Sequence, residues 1–314
     1  MMRPHGRAAW AWAALLATSL ALAHLASPAL AESATPAPLR ATPANNDLLP
    51  PRANITWTPR EQECQSAIMI TGHRGGLGVG TPTDDGVRYT ENTIPTFWRA
   101  LVHYGVCAVE TDLRRTCEGA LVLNHDSRWN RTTNATGRVK ARCLPYVQRK
   151  HADSGAPIAT LAAFLTDLRE TPSCYRQIEL KAALTTADLQ TMLSLTHEAV
   201  KDPSCVLFVS GSLTRLGRLD SLDPQVATGW LISDASLPDL SRVPSFVDLV
   251  MVDSRNLSAG FVAQAHQRGL MVSARRVNTA ETLAQMAALG VDRVQTDHAA
   301  QVTAVQARQM GWRR

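Results

Sequence analysis

The sequence lacks three features that would each indicate a class of partner or site. It has no run of lysine and arginine residues, no C-x-x-C pair and, after residue 31, no long apolar stretch. Without clustered cations there is no indication of a nucleic-acid partner. The spacing of the cysteines argues against a zinc site, and a membrane span would need about 18 or more apolar residues. We therefore expect no nucleic-acid partner and no membrane span in the mature chain.

Residues 1–31 have the features of a secretory signal peptide. Arg3 and Arg7 precede an apolar, alanine-rich stretch that ends in the small residues of an Ala-Leu-Ala cleavage site. The alternative is a single membrane anchor, but His24 and Pro28 interrupt the apolar stretch. We predict a secreted, extracellular protein. Loss of Arg3 and Arg7 lowers its formal charge from +5 to +3, because residues 1–31 contain no acidic side chain.

The remainder of the chain divides into a linker and one domain. Residues 32–61 are rich in proline and alanine, which is typical of an extended linker without a core of its own. Residues 62–314 have the usual length of an α/β barrel. The six cysteines all follow the signal, and an even number in an exported chain favours disulfides over free buried thiols.

Strand-like and helix-like segments alternate along this domain, which predicts parallel strands joined by helices. Eight strand-like segments in a domain of this length indicate a (β/α)₈ TIM barrel, with an open doubly wound sheet as the alternative. A ninth short segment, residues 120–126, is predicted to be a hairpin excursion after the second strand. The eight predicted barrel strands are residues 67–73, 107–113, 175–181, 205–211, 225–232, 246–253, 269–275 and 292–297.

Acidic side chains lie at the ends of two neighbouring predicted strands. Glu110 and Asp112 are two residues apart, so both point to one face of their strand, and Glu179 ends the next strand. Three converging carboxylates are the ligands of a hard divalent cation such as Ca²⁺ or Mg²⁺. The alternative is that they form ordinary salt bridges with nearby basic side chains, namely Arg114, Arg115 and Lys181.

Two histidines occupy similar positions, at a strand end and at a hairpin end. His73 is followed by Arg74 and a glycine-rich loop, and His125 is followed by Asp126. Cleavage of a phosphoester needs one group that takes a proton and one that gives a proton, and histidine suits both tasks near neutral pH. A cation and an arginine would balance the phosphoryl charge. The pair therefore favours acid–base chemistry on a phosphate ester over two structural histidines.

The order and spacing of these residues resemble the glycerophosphodiester phosphodiesterase family. Thr90 stands where that family usually has a proline. Arg275-Arg276 stand where an aromatic and a hydroxyl residue are common, and this charged pair favours a more anionic substrate. The matching segments are "GHRGG" (72–76), "ENT" (91–93), "VETDLRRTCEGALVLNHD" (109–126), "RTTNATGRV" (131–139), "IELK" (178–181) and "GVDRVQTDHA" (290–299).

The resemblance implies a (β/α)₈ barrel enzyme of lipid metabolism that hydrolyses glycerophosphodiesters to sn-glycerol 3-phosphate and an alcohol with one divalent cation, Ca²⁺ being favoured over Mg²⁺. The implied metal ligands are Glu110, Asp112 and Glu179, and the implied catalytic pair is His73 and His125. We favour His73 as the base and His125 as the acid, although the sequence does not assign these roles.

The resemblance also implies a shell around the phosphate. Arg74 and Lys181 would bind the phosphate, and Glu91 and Asn92 would complete the shell of the metal and the phosphate. The implied barrel further suggests three disulfides, because the cysteines precede or start neighbouring strands or flank the excursion. The predicted pairs are Cys64–Cys107, Cys117–Cys143 and Cys174–Cys205.

Two other functions remain open from the sequence. One is a phospholipase D of the sphingomyelinase type, although the low aromatic content of 5% argues against an apolar rim for lipid. The other is an exported barrel that binds phosphodiesters without cleaving them. The expected partner is a small glycerophosphodiester or a teichoic-acid-like polymer. The sequence leaves open the identity of the alcohol and the oligomeric state.

Overall fold

The computed structural model describes residues 58–78, 83–84, 86–233 and 237–310. The predicted signal peptide and nearly all of the predicted linker lie outside the described residues. Within the described part of the chain, no helix combines the length and the apolar character needed to cross a membrane.

The described residues contain nine strands and nine α-helices, which alternate along most of the chain. The strands are β1 (Met69–Gly72), β2 (Ala108–Arg115), β3 (Leu121–Leu123), β4 (Arg176–Leu180), β5 (Val206–Ser210), β6 (Ala227–Leu231), β7 (Leu249–Asp253), β8 (Met271–Arg275) and β9 (Arg293–Thr296). The helices are α1 (Pro59–Ser66), α2 (Ile94–Trp98), α3 (Leu144–Val147), α4 (Leu161–Thr166), α5 (Thr186–Ala199), α6 (Leu213–Leu222), α7 (Ala259–Gln267), α8 (Ala280–Ala288) and α9 (Ala299–Met310).

Eight of the strands are parallel and close into a barrel. The hydrogen-bonded order is β1-β9-β8-β7-β6-β5-β4-β2, and β2 also pairs with β1, which closes the ring. The remaining strand, β3, pairs antiparallel with β2. The predicted TIM barrel and the predicted hairpin excursion are therefore confirmed, and closure of the ring excludes the open doubly wound sheet.

The alternation of side chains along each strand explains why both faces of the sheet are buried. On β5, Leu207 and Val209 belong to the cluster that fills the barrel, whereas Val206 and Phe208 pack outward against the helices. All five residues of this strand are buried. A strand enclosed on both sides must be apolar at nearly every position, as the sequence of β5 is.

Helix starts in the outer layer are specified by capping residues. Thr185 accepts a hydrogen bond from the backbone N–H of Asp188, whose carboxylate accepts in return from the N–H of Thr185. Thr160, Ser212 and Ser258 also cap helices with their hydroxyl oxygens. Each such cap satisfies a backbone donor that the first turn leaves unpaired.

Three disulfides link the six cysteines. The pairs are Cys64–Cys107, Cys174–Cys205 and Cys117–Cys143, with Cα–Cα separations of 5.5, 5.6 and 5.0 Å, the same pairs that the family resemblance implies. The first two lie together in a buried cluster with Met69 and Tyr175 at the N-terminal end of the barrel strands. The third closes the excursion between β2 and α3.

Candidate active site

The acidic side chains lie at the C-terminal end of the barrel, on two adjacent strands. Glu110 and Asp112 occupy β2, and strand pairing sets Asp112 directly beside Glu179 of β4. Carboxylate oxygens from all three lie within 4.8 Å of one another. Glu110 and Asp112 are 1% and 0% exposed. The two-residue spacing on β2 and the register between β2 and β4 thus bring the three carboxylates together.

Such an arrangement is electrostatically costly without a cation. Burial, together with the charges of Asp112 and Glu179, raises the pKa of Glu110 well above its usual value. One buried oxygen of Glu110, Oε1, and one of Asp112, Oδ1, accept no hydrogen bond in the described chain. Buried carboxylate oxygens that accept no hydrogen bond are what a hard cation such as Ca²⁺ or Mg²⁺ coordinates. The residues present therefore fit a divalent cation.

Salt bridges neutralise only part of the negative charge of the three carboxylates. Lys181 Nζ lies 2.8 Å from Glu179 Oε1 and 3.5 Å from Asp112 Oδ1, as the salt-bridge alternative requires. The two arginines named in that alternative do not take part. Arg114 donates to the backbone carbonyls of residues 124 and 125, and Arg115 pairs with Asp188 at 2.7 Å.

The turn after β1 holds Arg74 against the carboxylates. Arg74 has a left-handed backbone with φ 52°, and its N–H donates to Glu110 Oε2 at 2.8 Å. Its side-chain Nε lies 3.4 Å from Asp112 Oδ2. The next residue, Gly75, has φ +103°, and a Cβ there would lie 2.4 Å from the side chain of Thr96. Gly75 thus gives this turn the positive φ and the space that it needs, and a larger residue at position 75 would clash with Thr96.

Asn92 forms hydrogen bonds with two adjacent residues of β2, one of which belongs to the acidic cluster. Its amide Nδ2 donates to Asp112 Oδ2 at 3.0 Å, and its Oδ1 accepts from the Thr111 hydroxyl and the backbone N–H of Asp112. Asn92 has φ 59°, a left-handed conformation that asparagine tolerates better than most residues. It therefore orients one of the proposed metal ligands.

Glu91 lies in an ion-pair network and not against the other carboxylates. It contacts Arg74 at 3.3 Å and Arg131 at 2.5 Å. Arg131 also donates to Asp126 Oδ2 at 2.6 Å. The resemblance places Glu91 in the shell of the metal and the phosphate, and in the structure Glu91 contacts two arginines, Arg74 and Arg131.

Each histidine is hydrogen-bonded to a carboxylate through Nδ1. His73 Nδ1 lies 2.5 Å from Asp297 Oδ1, and His125 Nδ1 lies 2.7 Å from Asp126 Oδ1. A carboxylate accepts and cannot donate when ionised, so each Nδ1 carries the proton. In the neutral imidazole, Nε2 is then the nitrogen with a free lone pair.

The acidic partners of the histidines are held ionised. Burial opposes ionisation of Asp297, but the hydrogen bond and charge of His73 and a hydrogen bond from Asn278 outweigh it and lower the pKa of Asp297 to about 2. Arg131 lowers the pKa of Asp126 to about 2 against partial burial, and His125 contributes to this effect. Burial lowers the pKa of His125 itself, and the charge of Asp112 and the hydrogen bond with Asp126 oppose this effect.

Three of these positioning residues had no role in the sequence analysis. Asp297 holds His73, Asn278 in turn holds Asp297, and Arg131 joins Asp126 to Glu91. Asp297 is the last residue of a predicted strand, and Arg131 opens a family-like segment, so the position of each gave a signal. The contacts themselves join parts of the chain that are far apart in sequence, and local patterns do not reveal such pairs.

Three carboxylates, two histidines and two basic side chains at the mouth of a (β/α)₈ barrel define a hydrolase that acts on phosphate esters. The model of the glycerophosphoryl diester phosphodiesterase family matches residues 73–301. A glycerophosphodiester phosphodiesterase from Bacillus altitudinis is 28% identical over 242 residues, which cover 73% of this chain and 94% of that relative. The chain belongs to the glycerophosphoryl diester phosphodiesterase family and is a phosphoric diester hydrolase.

Solved structures show the same fold. A glycerophosphodiester phosphodiesterase from Agrobacterium tumefaciens aligns with a TM-score of 0.62 and 22% identity, over 76% of this chain and 99% of that one. A phosphodiesterase from Oleispira antarctica, in complex with the product sn-glycerol-3-phosphate, aligns with a TM-score of 0.66 and 19% identity, over 76% of this chain and 96% of that one.

Proposed function

We propose that the protein hydrolyses glycerophosphodiesters to sn-glycerol 3-phosphate and an alcohol by a metal-dependent, two-histidine mechanism. The observation that carries this proposal is the pairing of each histidine with its own ionised carboxylate, at 2.5 Å for His73 and 2.7 Å for His125, beside an acidic cluster. A barrel that only bound phosphodiesters would not need two imidazoles held in one tautomer.

Glu110, Asp112 and Glu179 would hold the divalent cation. When bound, the cation supplies positive charge that stabilises the developing charge on a phosphoryl oxygen. Ca²⁺ is favoured over Mg²⁺, because Ca²⁺ accepts several carboxylates and flexible geometry, whereas Mg²⁺ retains most of its waters. Lys181 would move its ammonium from Glu179 toward the phosphate as the substrate binds.

Arg74 and Lys181 would bind the two non-bridging oxygens of the phosphodiester. Both are already at the edge of the acidic cluster, with 18% and 21% of their side chains exposed. Their carboxylate partners keep the long side chains ordered before the substrate arrives. Preordered cations lose less conformational freedom on binding and stabilise the transition state more effectively.

The histidines would transfer the two protons of the reaction. His73 Nε2 takes a proton from the nucleophile, which is water or the neighbouring glycerol hydroxyl of the substrate. As the phosphorus–oxygen bond to the alcohol breaks, His125 Nε2, protonated at that stage, gives its proton to the departing oxygen. Asp297 and Asp126 stabilise the imidazolium form of each ring. Attack by glycerol would leave a cyclic phosphate that a second step with water opens.

The direct test is release of glycerol 3-phosphate from glycerophosphocholine by the purified protein. We expect release to stop with EDTA and to return when Ca²⁺ is added, more strongly than with Mg²⁺. Substitution of His73 or His125 by alanine should abolish turnover. Retention of more than a tenth of the wild-type rate in either variant would contradict the two-histidine mechanism, and metal-independent release would contradict the role of the cation.

We also propose that the mature protein is exported, with residues 1–31 removed, residues 32–61 as a linker and residues 62–314 as the catalytic domain. The three disulfides support this proposal, since disulfides persist in oxidising compartments. N-terminal sequencing of the protein from the medium of an expressing culture should begin after residue 31. An unprocessed N-terminus in the cell pellet would contradict export.

A further inference from the structure

A second cleft, of about 400 Å³, lies next to the candidate active site. It is bounded by the end of β2, by the loop after β4 and by the excursion. No aspartate, glutamate or aromatic side chain is among the described residues that line it. Its basic residues are Arg114, Arg115, Arg138, Lys140 and Lys181.

The ion pairs of this cleft leave several cations without a carboxylate. Arg115 is paired with Asp188 at 2.7 Å, and Lys181 with Glu179 at 2.8 Å. The guanidinium of Arg114 is bound by backbone carbonyls, which do not cancel its charge.

Arg138 and Lys140 are exposed, and within the described chain neither forms an ion pair. Between them lies Val139, which is 2% exposed and packs in a cluster with Trp129. The N–H of Val139 donates to the carbonyl of Ser127 at 3.0 Å. The two cations are therefore carried by an anchored turn and not by a free loop end. Like charges held together in this way favour an anionic ligand.

Lys181 joins this cleft to the acidic cluster, because its ammonium contacts Glu179 and Asp112 while its side chain lines the cleft. An anion in the cleft would thus lie beside the phosphate that is cleaved. Single-stranded nucleic acids usually need aromatic platforms for their bases, and none of the described lining residues is aromatic. An anionic ligand without nucleobases therefore fits this cleft better than a nucleic acid does.

We propose that this cleft is a subsite for a second phosphoryl group of the same substrate. The substrate class is then a phosphodiester with at least one further phosphate, such as a chain of glycerol phosphate units or a phosphorylated alcohol. This inference rests on the proposed function. It differs from that function in naming Arg138 and Lys140 as residues that determine specificity without taking part in the chemistry.

The test compares two substrates that differ by one phosphate: glycerophosphoglycerol and the same compound with a terminal phosphate. We expect the wild-type kcat/KM to be at least tenfold higher for the doubly phosphorylated compound, mainly through a lower KM. In the Arg138→Gln/Lys140→Gln variant this preference should fall to within twofold of parity, with kcat/KM for glycerophosphoglycerol unchanged. Added salt should weaken the wild-type preference, since the cleft is open to solvent.

The matched control is Arg149→Gln/Arg242→Gln, which removes two exposed cations outside the cleft and should retain the preference. A wild-type enzyme that cleaves both compounds equally, or a preference that survives in Arg138→Gln/Lys140→Gln, overturns the subsite and leaves the proposed function intact.

If neither compound is cleaved, the proposed function fails and binding decides the subsite. Calorimetry should then show tighter binding of the doubly phosphorylated compound to wild-type protein than to Arg138→Gln/Lys140→Gln, and equal affinities would overturn the inference. Binding of a single-stranded oligodeoxynucleotide as tightly as the doubly phosphorylated compound, lost in the same variant, would also overturn it by assigning the cleft to nucleic acid.

Discussion

His73 and Asp297, which are 224 positions apart, are joined by a hydrogen bond of 2.5 Å between Nδ1 and Oδ1. The bond links the first strand of the barrel to the last, because β1 and β9 are neighbours in the ring. Asn278, between β8 and α8, holds the other oxygen of Asp297 at 3.2 Å. The orientation of the proposed base therefore depends on closure of the barrel.

Replacing Asp297 by asparagine should lower kcat for glycerophosphocholine on the order of 10²–10⁴-fold, because an amide can donate to Nδ1 and stabilise the wrong tautomer. KM should change little, since the phosphate ligands are intact. The measurement is steady-state kinetics with circular dichroism as a check on folding. Asp253→Asn is the control, because Asp253 also ends a barrel strand but pairs with Arg255. A kcat above a tenth of wild type would contradict the role of Asp297.

The Glu110→Gln variant should be more thermally stable than wild type when the protein is metal-free, and less stable than wild type when metal is bound. In EDTA the variant should melt a few degrees above wild type, because a buried carboxylate beside two like charges destabilises the fold and glutamine can still accept from the Arg74 N–H. With Ca²⁺ the wild type should melt higher, since it gains a ligand that the variant lacks.

Differential scanning calorimetry in EDTA and in Ca²⁺ measures the melting temperatures of both proteins. Glu170→Gln, at an exposed position, is the control and should follow wild type in both. If Ca²⁺ raised the melting temperature of the Glu110→Gln variant as much as that of wild type, Glu110 would not be a metal ligand.

Arg131 is predicted to position His125 through Asp126. Arg131→Gln breaks the contacts to Asp126 at 2.6 Å and to Glu91 at 2.5 Å. We expect kcat to fall about 10–100-fold, less than the roughly 10²–10⁴-fold that a general acid contributes, because His125 itself remains in place. The pKa of Asp126 should rise toward its ordinary value, because Arg131 is the main cause of its lowering.

A pH–rate profile and an NMR titration of Asp126 test both expectations for Arg131→Gln. Arg131→Lys should recover part of the rate through its charge but not all of it, since lysine lacks the planar fork. Arg128→Gln, an exposed neighbour on the same excursion, should behave as wild type. A wild-type rate together with an Asp126 pKa that stays as low as in the wild-type protein would show that Arg131 has no part in positioning.

Asp248 gives the fold a pH dependence that is unrelated to catalysis. Burial, mainly, and the like charge of Asp220 raise the pKa of Asp248 from 3.8 to about 6, although it accepts from the backbone N–H of Thr228. Because the folded-state pKa is raised, protonated Asp248 contributes its full stability to the fold below about pH 4, and this contribution is lost as the pH rises through 6. Asp248→Asn should therefore leave stability at pH 4 unchanged and raise it at pH 7.5 by roughly 1–3 kcal/mol.

Urea unfolding at the two pH values measures this effect. Asp292→Asn is a matched control, since Asp292 accepts from the Val272 N–H in the same way but is also paired with His266 at 2.8 Å. We expect Asp292→Asn to be neutral or destabilising at pH 7.5, because it alters the hydrogen bond with His266. Equal stability of Asp248→Asn and wild type at pH 7.5 would contradict the raised pKa of Asp248.

The alternation of strands and helices was enough to predict the eight barrel strands and the hairpin, because burial on both faces requires continuous apolar segments of strand length. The same logic brought Glu110 and Asp112 to one face. The role of Glu91 could not be derived in this way. The resemblance implies only that Glu91 completes the shell of the metal and the phosphate, and its partners Arg74 and Arg131 are set by two loops whose backbone paths the sequence pattern does not specify.

The sequence by itself determined the barrel fold, the placement of three carboxylates at the ends of adjacent strands and the placement of two histidines at a strand end and a hairpin end. Strand periodicity and strand order are local or nearly local properties. Only the tertiary structure decided which carboxylate holds which histidine, which arginines keep a carboxylate partner, and that Arg138 and Lys140 lie beside Lys181. Those relationships join side chains across loops and across the closed ring. They follow from how the elements pack in three dimensions, and no spacing along the chain encodes that packing.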